Sequence, residues 1–198
     1  MKLIKYTSVI ALALLLTACS HGESENKGSD QKAKATEIPK EVFSSQKKNE
    51  NISANEMDSS IKKYLNTFDA LDDNTSKIRS NAELNETDQM KLNKLTKLTN
   101  KNDGNFKQFI ESNKLPKEYK KGSLKVSTYV TSANEFINQL NDKVDETMED
   151  SNSDNKKLKN VKAIHKINDK YKAHVNGNKQ QEVEQFLDKH EINTTAFE

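Results

Sequence analysis

Cys19 is the only cysteine in the chain, and it stands directly behind Leu16, Thr17 and Ala18. A thiol is the strongest nucleophile among the ordinary side chains once deprotonated, so its placement is the first clue to chemistry. Three other groups draw the eye. Asn102, Asp103 and Phe106 form a short polar-aromatic cluster interrupted by Gly104 and Asn105. Lys159, Lys162, Lys166 and Lys170 recur at helical spacing and form a candidate anion-binding stripe. Four histidines, His21, His165, His174 and His190, lack the H-E-x-x-H spacing of a metal helix. His165 borders an apolar face, where a core-edge histidine is the ordinary reading. The five glycines are scattered, with no cluster to cradle a phosphate. No serine has a partnered base that a nucleophile needs. The expectation is therefore a protein without catalytic residues, metal or cofactor.

The residues ahead of Cys19 say what its thiol is for. Lys2 and Lys5 precede the apolar run Val9 to Leu16, and small residues lead to the cysteine. This is signal-peptide architecture. The run is far shorter than the ~20 residues of a spanning helix, which disfavours the alternative of an uncleaved anchor. An ordinary signal peptide is the other alternative. Leu16-Thr17-Ala18-Cys19 resembles a lipobox, where diacylglycerol is attached to the thiol before cleavage ahead of it. Residues 1–18 are then a signal peptide, and the mature chain begins at lipidated Cys19. Two acyl chains anchor stably where one binds only marginally, at ~0.8 kcal/mol per buried methylene. The expected location is the extracellular face of the cytoplasmic membrane, with the covalent lipid as the only attached group. With its single thiol used for lipid, the chain has none left for a disulfide.

Maturation also changes the charge. The 32 basic residues lose Lys2 and Lys5, which makes them equal in number to the 30 acidic ones. Arg79 is the only arginine. Bidentate reading of bases and phosphates leans on arginine, so nucleic acid is not an expected partner. Usage rich in Lys and Asn points to an AT-rich Gram-positive source.

Residues 19–37 hold the lipidated cysteine and a polar tether whose root-mean-square span as a flexible coil is about 25 Å. Residues 38–198 read as one helical domain. Ile38, Val42 and Phe43, around Pro39, interrupt the polarity and are expected to dock as a short turn. Ser53-x-x-Glu56 is a capping box. Behind it Met57, Ile61, Tyr64, Phe68, Leu71, Thr75 and Ile78 keep the 4-3 spacing of a bundle seam. A second helix opens near Asn85, carries Leu92, Leu95, Leu98, Phe106, Phe109 and Ile110, and stops before Leu115-Pro116. A third is expected from about Ser123 to Asp150 with Val126, Val130, Ala133, Ile137, Leu140, Val144 and Met148. Leu124 to Thr131 alternates as a strand would, but the seam beyond it favours helix. A fourth runs from about Asp154 to Val175 with Leu158, Val161, Ile164, Ile167 and Tyr171, ended by Asn176-Gly177. Asn178 then caps a short fifth carrying Val183, Phe186 and Leu187, before an irregular tail from Ile192 to Phe197. The fold class is all-α: an elongated antiparallel bundle of three long and two shorter helices.

Asn102-Asp103 followed after two intervening residues by Phe106, in a small Lys- and Asn-rich chain with a lipobox, resembles the NDxxF motif lipoproteins of staphylococci. The Phe106 to Tyr119 segment and the late N-G-N-K-Q-Q stretch fit that group as well. The resemblance implies a surface lipoprotein of unknown activity and brings no catalytic residue. Asn102 and Phe106 fall on the seam stripe, one turn apart, so Asn102 reads as a buried amide that sets register or marks a bend. A ligand-contacting break in the helix is the alternative. On the register reading Asn102→Leu keeps or raises stability; a large loss means indispensable hydrogen bonds. The stripe of Lys159, Lys162, Lys166 and Lys170 reads as a solvated face, as a partner of Asp142, Asp145, Glu146, Glu149 and Asp150 across a hairpin, or as a seat for teichoic acid or lipid headgroups. The function expected is a non-enzymatic lipoprotein presenting its helical domain to a macromolecular partner, a protein or an anionic wall polymer. Its oligomeric state is open.

Overall fold

The computed structural model describes residues 38–81, 84–149 and 154–197, with the side chains of 144–149 and 154–161 outside that description. Five α-helices follow in order: α1 Ala54–Arg79, α2 Glu86–Ser112, α3 Lys117–Glu149, α4 Asp154–Tyr171 and α5 Gly177–Lys189. A 3-10 turn at Thr195–Phe197 closes the described chain. The fold is an all-α bundle, with α1, α2 and α3 packed together, α4 laid on α3 and α5 on the first half of α3. The alternating segment 124–131 is helix, well inside α3.

The first two helices start where expected, with half of the capping box at Ser53 formed while the Glu56 carboxylate pairs with Lys47 instead. Ser53 accepts from the Glu56 N–H at 3.3 Å, and Asn85 accepts from the Asp88 N–H at 3.0 Å. The apolar seam is buried as its spacing requires: Met57, Ile61, Tyr64, Phe68 and Leu71 on α1 meet Leu95, Phe106, Phe109 and Ile110 on α2 and Val126 and Val130 on α3. Thr75, Ile78, Leu98 and Ile137 are only half-buried. Leu65, Tyr129 and Phe136, off the 4-3 pattern, are buried because a central helix touches neighbours on two sides.

Three boundaries differ from expectation. The third helix begins at Lys117, six residues before Ser123, because the Pro116 carbonyl accepts from the Tyr119 and Lys120 N–H groups and starts the turn. Gly122 lies inside it and serves as a contact point (below). The fourth helix ends at Tyr171 rather than Val175, and Asn176 does not close it. Asn176 instead caps α5, accepting from the Lys179 N–H at 3.0 Å, so the cap is Asn176 and not Asn178. The tail, expected to be irregular, forms the 3-10 turn: Asn66 Oδ1 accepts from the Thr195 N–H at 2.9 Å, and Ala196 is buried.

Candidate functional site

Residues 38–52 form a strap along α2, and the site is what fastens it. Val42 and Phe43 are buried, Val42 with Leu71 and Leu95, and Phe43 in the main core. An extended segment with buried backbone must find partners for each N–H and C=O. Here they are side-chain amides of α2. Asn102 Oδ1 accepts from the Phe43 N–H at 3.0 Å, and Asn105 Nδ2 donates to the Phe43 carbonyl at 2.7 Å. One strap residue is thereby held through both of its backbone groups. Further along, Asn113 Oδ1 accepts from the Glu50 N–H at 3.0 Å, and its Nδ2 donates to the Lys47 carbonyl at 3.0 Å. The strap then pairs with the α2–α3 connection: Asn49 N–H to Ser112 O, Lys114 N–H to Glu50 O, and Ile52 N–H to Lys114 O, at 2.7, 2.8 and 3.0 Å. Asn49 adopts φ 57° to make that turn, a region asparagine tolerates better than other residues with a Cβ.

The same helix turn reaches in the other direction. Asn102 Nδ2 donates to the Tyr64 carbonyl of α1 at 3.2 Å. Tyr64 stacks on Phe106, ring centroids 4.1 Å apart and planes 5° off parallel, while Phe43 meets Phe106 edge-on at 5.3 Å. Asp103 Oδ1 accepts from the Tyr64 hydroxyl and Oδ2 from Asn134 Nδ2 of α3, both at 2.8 Å. Burial raises the Asp103 carboxyl to about 6; the bonds from Asn134 and Tyr64 pull against that rise, and Glu135 adds to it. Burial, followed by the Asp103 charge, pushes the Tyr64 hydroxyl well above its usual range. Four segments therefore meet at Asn102, Asp103 and Phe106: the strap, α1, α2 and α3.

Every polar atom that the motif offers is engaged inside the protein. Asn102 is a buried amide, as its seam position indicates, but it bonds two backbone groups of two other segments. Gly104 does not break α2, which runs through it, and a Cβ there would meet open space. Sequence patterns alone do not reveal Asn105, Asn113 and Asn134, because the partners of a polar side chain lie in other segments. The faint signal is a run of amides on a helix next to an otherwise unsatisfied extended segment.

The other expected sites fare differently. Cys19 and the tether lie outside the described residues, as do the side chains of Lys159, Asp145, Glu146, Glu149 and Asp150. Lys162, Lys166 and Lys170 are exposed, with the Lys170 ammonium 4.6 Å from the centroid of the Tyr171 ring. Tyr171 itself docks α4 on α3, packing on Phe136 at 5.8 Å and bonding Gln139 and Glu135. Among the described residues no three His, Cys, Asp or Glu side chains are grouped to hold a metal, and no helix is long and apolar enough to cross a membrane. Comparison with family models, curated proteins and solved structures gave no match.

Proposed function

We propose that the protein is a lipid-anchored cell-surface protein of the kind the NDxxF resemblance implies, non-enzymatic, whose helical domain meets a macromolecular partner outside the cytoplasmic membrane. The observation that carries this reading is the strap. A chain held by lipid at Cys19 exerts any pull on the domain through residue 38 and its neighbours. Those residues are held to α2 and the core by paired backbone bonds and two buried side chains. A motif used in this way is a mechanical join rather than a ligand cleft. Labelled palmitate fed to cells enters the wild-type chain and not Cys19→Ser; equal labelling of both, or of neither, overturns the anchor. Crosslinking in living cells then captures the partner, and capture of nothing but lipid overturns the presenting role.

A second reading rests on the exposure of Lys162, Lys166 and Lys170 on α4. With Lys159 they form a candidate seat for an anionic wall polymer. Binding of purified mature chain to teichoic acid at low salt, lost in a quadruple Lys→Gln variant, supports it; no binding at low salt removes it.

A further inference from the structure

The strap also decides which face of the domain lies beside the anchor. Ile38, the first described residue, packs on the Val42, Leu71 and Leu95 cluster in the groove between α1 and α2, as Leu98 does. Eighteen residues lie between it and Cys19. Fully extended, that stretch spans at most about 65 Å.

The neighbouring face of α2 is unusual for this chain. From Met90 to Gln108 the sequence holds Lys91, Lys94, Lys97, Lys101 and Lys107 against one carboxylate, Asp103, and that one is buried. Met90, Lys94, Lys97 and Lys101 follow one another at intervals of four, three and four, so they share a face. All four are exposed, and Met90 is 72% exposed, which is high for an apolar side chain. Lys91 leans on Asp88 at 3.8 Å, but among the described residues Lys94, Lys97 and Lys101 have no carboxylate partner. Around the helix axis Lys94 and Lys101 stand within about 60° of Leu98, which packs on the same apolar cluster as Ile38. A positive face whose Lys94, Lys97 and Lys101 have no carboxylate partner among the described residues thus lies near the apolar cluster that holds Ile38.

We propose that the Met90–Lys94–Lys97–Lys101 face of α2 rests on the anionic lipid headgroups of the membrane that carries the anchor, with Met90 entering the interface, so that the domain holds one orientation. The inference rests on the lipid-anchor reading above. Each lysine close to an anionic leaflet strengthens attachment about fivefold, and three together give on the order of a hundredfold. Such a contact is weak for a free protein. Tethering makes it intramolecular, and the short reach of the tether keeps the local concentration of headgroups high.

The sole cysteine allows a direct test. The mature chain is coupled through Cys19 to a maleimide lipid in vesicles of pure phosphatidylcholine or of phosphatidylcholine with phosphatidylglycerol. Each lysine is then scored by peptide mass spectrometry for its rate of acetylation. On phosphatidylglycerol vesicles at low salt Lys94, Lys97 and Lys101 react several-fold more slowly than on phosphatidylcholine, high salt removes the difference, and Lys162, Lys166 and Lys170 do not change. Equal rates on both vesicles, or protection of the α4 lysines instead, overturns the proposal. So does soluble polyglycerophosphate protecting the α2 lysines as well as vesicles do, which assigns the face to wall polymer. In a separate measurement, with the thiol capped, the variant Lys94→Gln, Lys97→Gln, Lys101→Gln partitions onto phosphatidylglycerol vesicles on the order of a hundredfold less than wild type; unchanged partitioning again overturns the proposal. Chemical coupling supplies the anchor here, so failure of the face and failure of palmitate labelling in cells are separate results.

Discussion

Asn102 holds two segments at once, taking the Phe43 N–H on its oxygen and giving its amide hydrogen to the Tyr64 carbonyl. Leucine fits the volume but leaves both buried backbone groups without a partner, at roughly 1–3 kcal/mol each. Asn102→Leu is therefore expected to lose about 3 kcal/mol in urea denaturation, against the retained stability that a purely register-setting amide predicts. Asp103 gives a pH signature. Its carboxyl is raised from 3.8 to about 6 chiefly by burial, so between those values the native state binds more protons than the unfolded chain. The associated stability is fully present below about pH 3.8 and is lost as pH rises through about 6. Asp72, also raised to about 6 by burial and then by Asp73 and Asp69, acts in the same direction. In Asp103→Asn the fall in unfolding free energy from pH 4 to pH 7 shrinks by about 2 kcal/mol, leaving the share of Asp72. An identical slope in wild type and variant contradicts the placement of this carboxyl. Asn102 and Phe106 were legible from the seam, which needs only local spacing. Asp103 was not, because it faces α3 from beside the stripe and is recognised only by its distant partners Tyr64 and Asn134.

At the scale of the helices, two glycines separate local propensity from packing. Gly104 sits on the exposed face of α2 with open space about it, so Gly104→Ala gains about 1 kcal/mol from helix propensity. Gly122 is buried in α3, and a Cβ there would run into the Phe186 ring of α5. Gly122→Ala is expected to cost about 1–3 kcal/mol by overpacking, and paired thermal melts of the two variants should move in opposite directions. A shared direction contradicts the docking of α5. The third helix, expected from about Ser123, starts at Lys117, and Gly122 inside it admits an aromatic ring. The end of α5 is set by backbone bonds. Ile192 N–H returns to the Leu187 carbonyl and Glu191 N–H to that of Asp188, a Schellman ending in which Glu191 holds φ 55° without being glycine. The helices and most of the described seam were readable, as was the Asn85 start of α2; the boundaries set by the Pro116 carbonyl and the Asn176 cap were not.

For the whole molecule, a near balance of 32 basic and 30 acidic residues conceals an uneven distribution, with lysines gathered on α2 beside the strap. With the proposed anchor at Cys19, the N-terminal strap would turn a point of attachment into a fixed relation to the bundle, because residues 42–52 are bonded to α2 and to the α2–α3 connection. In sequence that stretch looked polar after Phe43. Its order comes from Asn102, Asn105 and Asn113 on another segment, which no periodicity displays. The central claim is that the Asn102–Phe106 cluster latches this strap. Native-state hydrogen exchange at the Phe43 amide tests it most directly. In wild type that N–H is expected to exchange only with opening of the core, near the rate of the α1 and α2 interior. In Asn102→Leu its protection falls selectively while that of the α2 amides away from residue 102 changes only as global stability does. Wild-type exchange of Phe43 at the rate of a solvent-exposed amide would contradict the account.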